Sequence, residues 1–370
     1  MNRTRKLLAV GVALLATAAC ATDSELPDGS ASPDGCTEVA LATSPEKLDL
    51  FTELAKTFNE SDDNDVDGRC SFVSVKRVSS GVGASALVDG WTDEANGPKP
   101  VVWSPAASSW GAVVNERLAR NQQAAVVPSD PKPFMLTPLV IAMPKPMAEA
   151  LGYPATPIGF GDLLQLSTTP DGWAAKGHPE WGAFKLGKTN PNFSTSGLSS
   201  TIAQYYAATG KQSDLTLEDV NRPDVDTFMR GVESAVVHYG DTTLSFLNNM
   251  YRNDRAGLGL TYVSAVAVEE TSIIAYNRGN PDGVLDPGEQ PRPPRVPLVA
   301  VYPKDGTLFS DNPFFILNAP WVTAAEKKAA RLFETFVQRP ANQRRVLEFG
   351  FRPGNPSVKV TDPISKKFGV

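Results

Sequence analysis

From Thr37 onward, short apolar runs alternate with segments whose apolar residues recur at helical spacing. TEVALAT (37–43) has the composition of a strand. Ser44 then offers an N-cap, Pro45 fits the first helical position, and Leu48, Phe51, Leu54 and Phe58 repeat to give one buried helix face. SFVSVKRV (71–78) predicts the next strand, and Ser79-Ser80-Gly81 turns it into a helix carrying Ala84, Leu87, Val88 and Trp91. PVVWSP (100–105) reads as a strand, Ala106 to about Leu118 as a helix, and AAVVP (124–128) as a further strand. Strands joined by helices imply right-handed crossovers and a parallel sheet covered on both faces.

PFMLTPLVIAMPKP (133–146) breaks the pattern. It is a long apolar extended run interrupted by prolines, suited to passing between two lobes. A second strand-and-helix set follows. GFGDLLQL (159–166) predicts a helix, AFKLGKTNP (183–191) a strand, and Leu198 to about Thr209 a helix closed by Gly210. Helices are expected over Val225 to about Tyr239 and Leu244 to about Arg255, and strands at GLGLTYVSA (257–265) and LVAVYP (298–303). Residues 277–294 are turn-rich and read as a surface excursion. Two helices, Ala324 to about Gln338 and Ala341 to about Leu347, complete the pattern.

The first 36 residues do not share this alternation. Arg3, Arg5 and Lys6 precede an apolar stretch from Leu7 to about Leu15, and the small residues Ala18 and Ala19 lead into Cys20. The stretch is short for a membrane span, and the segment reads as a signal peptide over 1–19. Its ending resembles a bacterial lipobox, with Thr17 where Leu or Val is more usual. On that reading Cys20 is lipidated and the mature chain is tethered outside the cytoplasmic membrane by acyl chains. The plainer alternative is a cleaved signal in which Cys20 is incidental. Residues 20–35 are small, polar and rich in Pro and Gly, as expected of a flexible spacer. With Cys20 assigned to lipid, Cys36 and Cys70 are left; in an oxidising compartment they are expected to pair, the alternative being two buried thiols.

Composition narrows the function classes. A length of 370 residues suggests two lobes at about 100–200 residues each. Hydrophobic residues at 41% and charged residues at 21% suit a core-forming globular chain. The formal charge is −6, and it becomes more negative when the three leader cations are removed. An acidic chain without a basic stripe is a poor nucleic-acid binder.

Hydroxyl and glycine residues recur after the predicted strands: Ser44, Ser79-Ser80-Gly81, Ser104 with Ser108-Ser109, and Ser194-Thr195-Ser196-Gly197. Ligands of open α/β sheets bind beyond the carboxyl ends of strands, where helix N-termini present unpaired N–H groups. Such a rim suits an anion or a small polar ligand. Taken singly, each serine is an ordinary N-cap; four such places make a pattern.

The order of SPEK (44–47), VSSG (78–81), WSPAASSW (103–110), TNPNFSTSG (189–197), TYVSA (261–265), YPKDGTLFSDNPFFIL (302–317) and FGFRPGN (349–355) resembles a type II periplasmic solute-binding protein. The nearer likeness is to the solute-binding-like domain of bacterial lipoproteins that often continue into a von Willebrand factor A domain. It covers about 36–356, and SVKVTDPISKKFGV (357–370) follows without such a domain. The resemblance implies two α/β lobes with mostly parallel sheets, joined by two crossing strands: 36–134 with 305–370 as lobe I, and 135–304 as lobe II. It implies a ligand in the cleft and hinge closure. Similarity to molybdate-binding relatives points to Ser44, Ser80, the Ser194–Ser196 loop and Tyr262 as rim residues. It also implies an ABC-type permease or an envelope protein as partner. A non-transport scaffold or adhesion role is the alternative on the same fold.

Enzyme signatures fail. His178 and His238 are the only histidines, TSGLSS (195–200) is not a nucleophile elbow, and Walker and dinucleotide motifs are missing. A hydrolase ranks third for want of a nucleophile–base pair, and neither cofactor nor metal is expected. Asp63-Asn64-Asp65-Val66-Asp67-Gly68 matches the opening of a calcium loop, but Ser74 stands where the bidentate Glu belongs. Asn280, Asp282, Gly283, Asp286 and Glu289 match later loop positions, with Arg278 at the first. Solvated acidic loops account for both.

Overall fold

Two sheets carry the fold of this computed structural model, which describes residues 33–283, 288 and 290–370. The leader, Cys20 and most of the spacer lie outside the described residues. The strands are β1 (Thr37–Thr43), β2 (Asp65–Val66), β3 (Arg69–Arg77), β4 (Val102–Ser104), β5 (Met135–Pro144) and β6 (Leu186–Thr189). β7 (Val236–Gly240), β8 (Ala265–Glu269), β9 (Leu298–Val301), β10 (Phe309–Ser310), β11 (Phe315–Ile316) and β12 (Arg352–Pro353) follow.

The first sheet has the order β11-β4-β1-β3-β2. β1 runs parallel to β3 and β4, while β2 and β11 add antiparallel edges. One face packs Val39, Leu41 and Val73 against Phe51, Phe58 and Phe333 of the helices Leu48–Asn59 and Ala324–Val337. The other buries Ala42 and Trp103 with Leu87 and Trp110 of the helices Ser80–Val88 and Ser109–Arg120. Both faces are apolar because helices cover both.

The second sheet has the order β10-β5-β8-β6-β7, with β9 and β12 also on β5. β6 is parallel to β7 and β8, and everything paired with β5 is antiparallel to it. β5 enters from the other lobe rather than through a helical crossover, so nothing imposes a parallel direction on it. Its residues alternate between two cores, Leu139, Ile141 and Met143 on one side and Val140 and Ala142 on the other. Together the sheets form a mixed α/β, two-lobed body.

Three segments cross between the lobes. Residues 133–139 and 308–313 run side by side, with Phe134 N–H donating to Asn312 O (3.3 Å) and Leu139 N–H to Leu308 O (2.8 Å). These match the two crossings that the resemblance implies. The third begins at β12. The chain end then packs on the second sheet, where Ala300 N–H donates to Gly369 O (2.7 Å) and Asn277 Nδ2 bridges Leu298 O and Phe368 O. The expected assignment of 305–370 to lobe I is therefore corrected at its end: Val370 packs against the second sheet's core.

The Cys36–Cys70 disulfide is present, with Cα atoms 4.6 Å apart. Thr37 pairs with Ser71 in the parallel register, which sets the preceding residues side by side. Three element expectations are corrected. Residues 124–128 form no strand; Asn115 clamps Val127 instead, donating to its O (2.7 Å) and accepting from its N–H (3.2 Å). The helix expected over 225–239 is Pro223–Ser234, and Val236–Gly240 becomes β7, because β-branched Val236 and Val237 favour an extended chain. The strand expected at 257–265 starts only at Ala265; Gly257, at φ 88°, and Gly259 keep the preceding stretch in turns. A helix unforeseen in the sequence, Glu270–Arg278, follows at once.

Candidate functional site

A cleft of about 390 Å³, its open mouth included, lies between the lobes at the carboxyl ends of their parallel strands. Pro45, Glu46, Ser79, Ser80 and Ala106 line it from the first lobe. Phe193, Ser194, Thr195, Thr242, Thr243, Leu244, Glu269 and Ser272 line it from the second.

Four helices begin here: Ser80–Val88, Thr195–Thr209, Thr243–Arg255 and Glu270–Arg278. At three of them the N-cap residue, Ser79, Ser194 or Glu269, makes no side-chain capping bond. Two of their first-turn N–H groups are already taken, Gly81 N–H by Phe193 O and Thr271 N–H by Thr137 Oγ1 (3.2 Å), while the positive dipole ends still meet at the cleft. Thr242 is different, because its hydroxyl accepts from Ser245 N–H (3.2 Å).

The lobes touch across this cleft. Gly81 N–H donates to Phe193 O (3.2 Å). Trp110 Nε1–H donates to Thr195 Oγ1 (2.9 Å), and the Thr195 hydroxyl donates to Ser80 Oγ (3.2 Å). Ser80 Oγ also accepts from Ala106 N–H (3.1 Å), so its own proton is left to give. A Cβ on Gly81 would lie 2.0 Å from Asn192 O. Only glycine permits so close an approach.

Behind the rim runs a buried chain of hydroxyls. Ser194 Oγ and Thr243 Oγ1 are 3.1 Å apart, Thr243 Oγ1 and Ser196 Oγ 2.6 Å, and Ser196 donates to Glu269 Oε2. Each hydroxyl has one proton, so the chain is directed towards Glu269 and leaves Ser194 lone pairs at the cleft. Glu269 is 6% exposed, and its Oε1 has no hydrogen-bond partner. Burial pushes its carboxyl up to about 7; the Ser196 bond opposes this and the Glu46 charge reinforces it.

Lys47 supports the first lobe's rim. Its fully buried ammonium donates to Ser104 O (2.8 Å), Ser104 Oγ (2.9 Å) and Pro105 O (2.8 Å). Burial pushes its pKa down to about 7, while Glu46 and Asp311 hold it up. These bonds fix the turn after β4 that brings Ala106 to Ser80.

The serines expected from the sequence divide accordingly. Ser79, Ser80 and Ser194 line the cleft. Ser196 is buried behind it on Glu269, and Ser104 is buried on Lys47. Ser44 is buried too and donates to Glu46, which itself reaches the cleft. Tyr262 is a correction. It precedes the amino end of β8, whereas the cleft lies at the carboxyl end, and it stacks on His238 with ring centroids 4.1 Å apart. Glu46, Lys47, Thr243 and Glu269 were missed as site residues. The available signal for Glu269 was a carboxylate ending the apolar run AVAVE.

The acidic loop at 63–68 has other partners. Asp63 pairs with Arg339 (Nη2–Oδ1 2.8 Å), Asp67 with Lys328, and Asp65 Oδ1 accepts from Gly68 N–H (3.0 Å). Among the described residues, no group of three or more His, Cys, Asp or Glu side chains could hold a metal ion. None of the described helices is long and apolar enough to cross a membrane.

Comparison with known proteins adds family and fold. A family model described as bacterial extracellular solute-binding protein matches residues 39–352. A search of curated proteins finds no match. The sulfate-binding protein SubI from Mycobacterium tuberculosis H37Rv superposes with a TM-score of 0.56 at 16% identity, covering 90% of this chain and 92% of that one. A ferric binding protein from Campylobacter jejuni gives 0.53 at 14% identity, over 90% and 91%. AfuA from Actinobacillus pleuropneumoniae, with fructose-6-phosphate bound, gives 0.53 at 12% identity, over 88% of each. At these identities the likeness is one of fold.

Proposed function

The chain belongs to the bacterial extracellular solute-binding protein family, and on that premise we propose that it holds a small polar or anionic solute in the interlobe cleft. Membership implies an extracytoplasmic location and a small solute, which such proteins typically deliver to ABC transporter permeases. The observation that carries the ligand reading is the convergence of four helix starts and free hydroxyl valences from both lobes on one cleft. Ser79, Ser80 and Ser194 would contact the solute, and Ser44, Ser104 and Ser196 would hold the groups that do. The protein acts by binding rather than catalysis. Both histidines are engaged in ring stacking, His178 on Trp181 and His238 on Tyr262, and neither lines the cleft.

Anchoring belongs to the same proposal. It rests on the lipobox-like ending at Cys20, and kinship with lipoproteins that carry a von Willebrand factor A domain rests on motif order alone. Cys20→Ser should move the protein from the detergent phase to the aqueous phase; equal partitioning would remove the anchor from the account. No observation favours the scaffold alternative.

A thermal-shift screen of oxyanions, sugars, amino acids and divalent metals tests the ligand reading. A solute at about 100 times its Kd should stabilise the fold by roughly 2.7 kcal/mol. No shift with any of these classes would contradict it.

A further inference from the structure

The helix Glu270–Arg278 touches both lobes. Its Ile273 and Tyr276 are buried in the second lobe's core. Its first turn reaches the cleft through Ser272. Another side of it rests on the chain leaving the helix Pro340–Glu348, where Val346 and Phe351 are buried in the first lobe's core. Side chains two positions apart on a helix point about 200° apart, so Glu270 turns away from the cleft where Ser272 turns towards it. Neither Glu270 nor its partner Arg352 lines the cleft.

Side-chain bonds join the lobes at this rear contact. Arg352 is bidentate on Glu270, Nε to Oε2 at 2.9 Å and Nη2 to Oε1 at 2.7 Å, and the Tyr302 hydroxyl also donates to Glu270. Thr271 Oγ1 donates to Phe349 O (3.1 Å) and Arg278 Nη1 to Glu348 O (2.8 Å). Gly350, at φ 82°, lets the two chains pass closely: a Cβ there would lie 3.1 Å from Thr271 Oγ1 and 3.3 Å from Ile274 Cδ1. The same helix turn holds the first crossing, where Thr271 N–H donates to Thr137 Oγ1 (3.2 Å). β12 pairs Arg352 with Leu136 of that crossing.

Glu270 is 0% exposed, and stability alone does not account for a carboxylate there. A buried ion pair is often no more stable than well-packed apolar residues of the same volume. What it supplies is direction, because a planar guanidinium on two carboxylate oxygens fits one relative orientation. Here the pair sits where a second-lobe helix meets the end of the first lobe's chain.

We infer that this contact is a rear clasp between the lobes, with Glu270 and Arg352 as positioning residues that fix the interlobe angle at which solute is held. The inference rests on the reading of the cleft as a solute site, but its test needs no solute. The bonds across the cleft, Gly81 to Phe193 and Thr195 to Ser80, join neutral groups. At the rear, Arg352 and Arg278 make charge-assisted bonds, which are the stronger kind. Lobes turned to another angle lose these bonds, so the clasp gives weight to the angle at which both sets are made.

Pulsed electron spin resonance between two nitroxide labels, one on each lobe, tests this. The labels go on Asp89→Cys and Glu218→Cys, both exposed, in the full chain with Cys20→Ser and the Cys36–Cys70 disulfide intact. With the clasp unaltered, the distances should form one narrow distribution; a broad one would overturn the inference. Glu270→Gln with Arg352→Gln leaves no buried charge unpaired, and should broaden the distribution and extend it to longer distances. Arg352→Lys keeps the charge without the bidentate fit and should fall between. An unchanged distribution in the folded double variant, even with a lower unfolding midpoint, would overturn the inference, since the pair would then brace the structure without setting the angle. If that variant fails to fold, Thr271→Val with Arg278→Ala decides. It keeps the buried pair, removes the flanking bonds between lobes, and should broaden the distribution in the same sense; no change would overturn the inference. A cleft that takes no solute would leave this result standing, and an idle clasp would leave the solute reading standing.

Discussion

Lys47 and Glu269 make opposite demands on pH. The Glu269 carboxyl titrates near 4.5 when unfolded and near 7 in the fold. Its contribution is complete below about 4.5 and is lost as pH rises towards 7. Lys47 drops from 10.5 to about 7 on folding, so its contribution is absent below 7 and grows as pH rises towards 10.5. Chemical denaturation across this range should give a dip near neutrality from these two groups, with a falling limb of about 3 kcal/mol and a rising limb of about 5 kcal/mol. Subtracting the Glu269→Gln curve from wild type isolates the falling limb. A difference that does not fall between about pH 4.5 and 7 would contradict the buried-acid account. The rim serines were legible in the sequence because a hydroxyl between a strand and a helix has few roles. Glu269 and Lys47 were not, because their importance comes from burial, which depends on what packs over them. Tyr262 misled because its motif marked the approach to a strand whose opposite end meets the cleft.

At the scale of elements, the sequence was clearest where composition and period agreed. Leu48, Phe51, Leu54 and Phe58 gave the helix Leu48–Asn59, and the long apolar run at 133–146 gave an extended strand, whose two faces the structure shows to be buried. It failed where one apolar stretch holds two elements. Val225–Tyr239 divides into helix and edge strand, and the strand expected at 257–265 gives way to turns with β8 starting only at Ala265, because tertiary pairing with β6 decides which residues extend. The disulfide acts at this scale too. It ties β1 to β3 across a sequence separation of 34 residues. Cys36→Ser with Cys70→Ser should lower unfolding stability by about 3–4 kcal/mol in urea titrations. An unchanged midpoint would mean that the bridge restricts the unfolded chain no further than its own residual structure already does.

The whole molecule is organised around contact between its lobes. Gly81 against Phe193, and Ser80 and Trp110 against Thr195, join residues more than eighty positions apart in the chain, and no local pattern foretells them. The bilobed fold was legible from alternation broken by the 133–146 run. The third crossing was not, because Phe368 and Val370 are too few to announce a docking segment. Hydrogen–deuterium exchange, with and without the solute that gives the largest thermal shift, tests the central claim most directly. Protection should rise together around residues 79–83 of one lobe and 193–197, 243–247 and 269–272 of the other, since these segments line one cleft. Protection confined to one lobe, or centred on Tyr262 and His238, would contradict a solute held between the lobes.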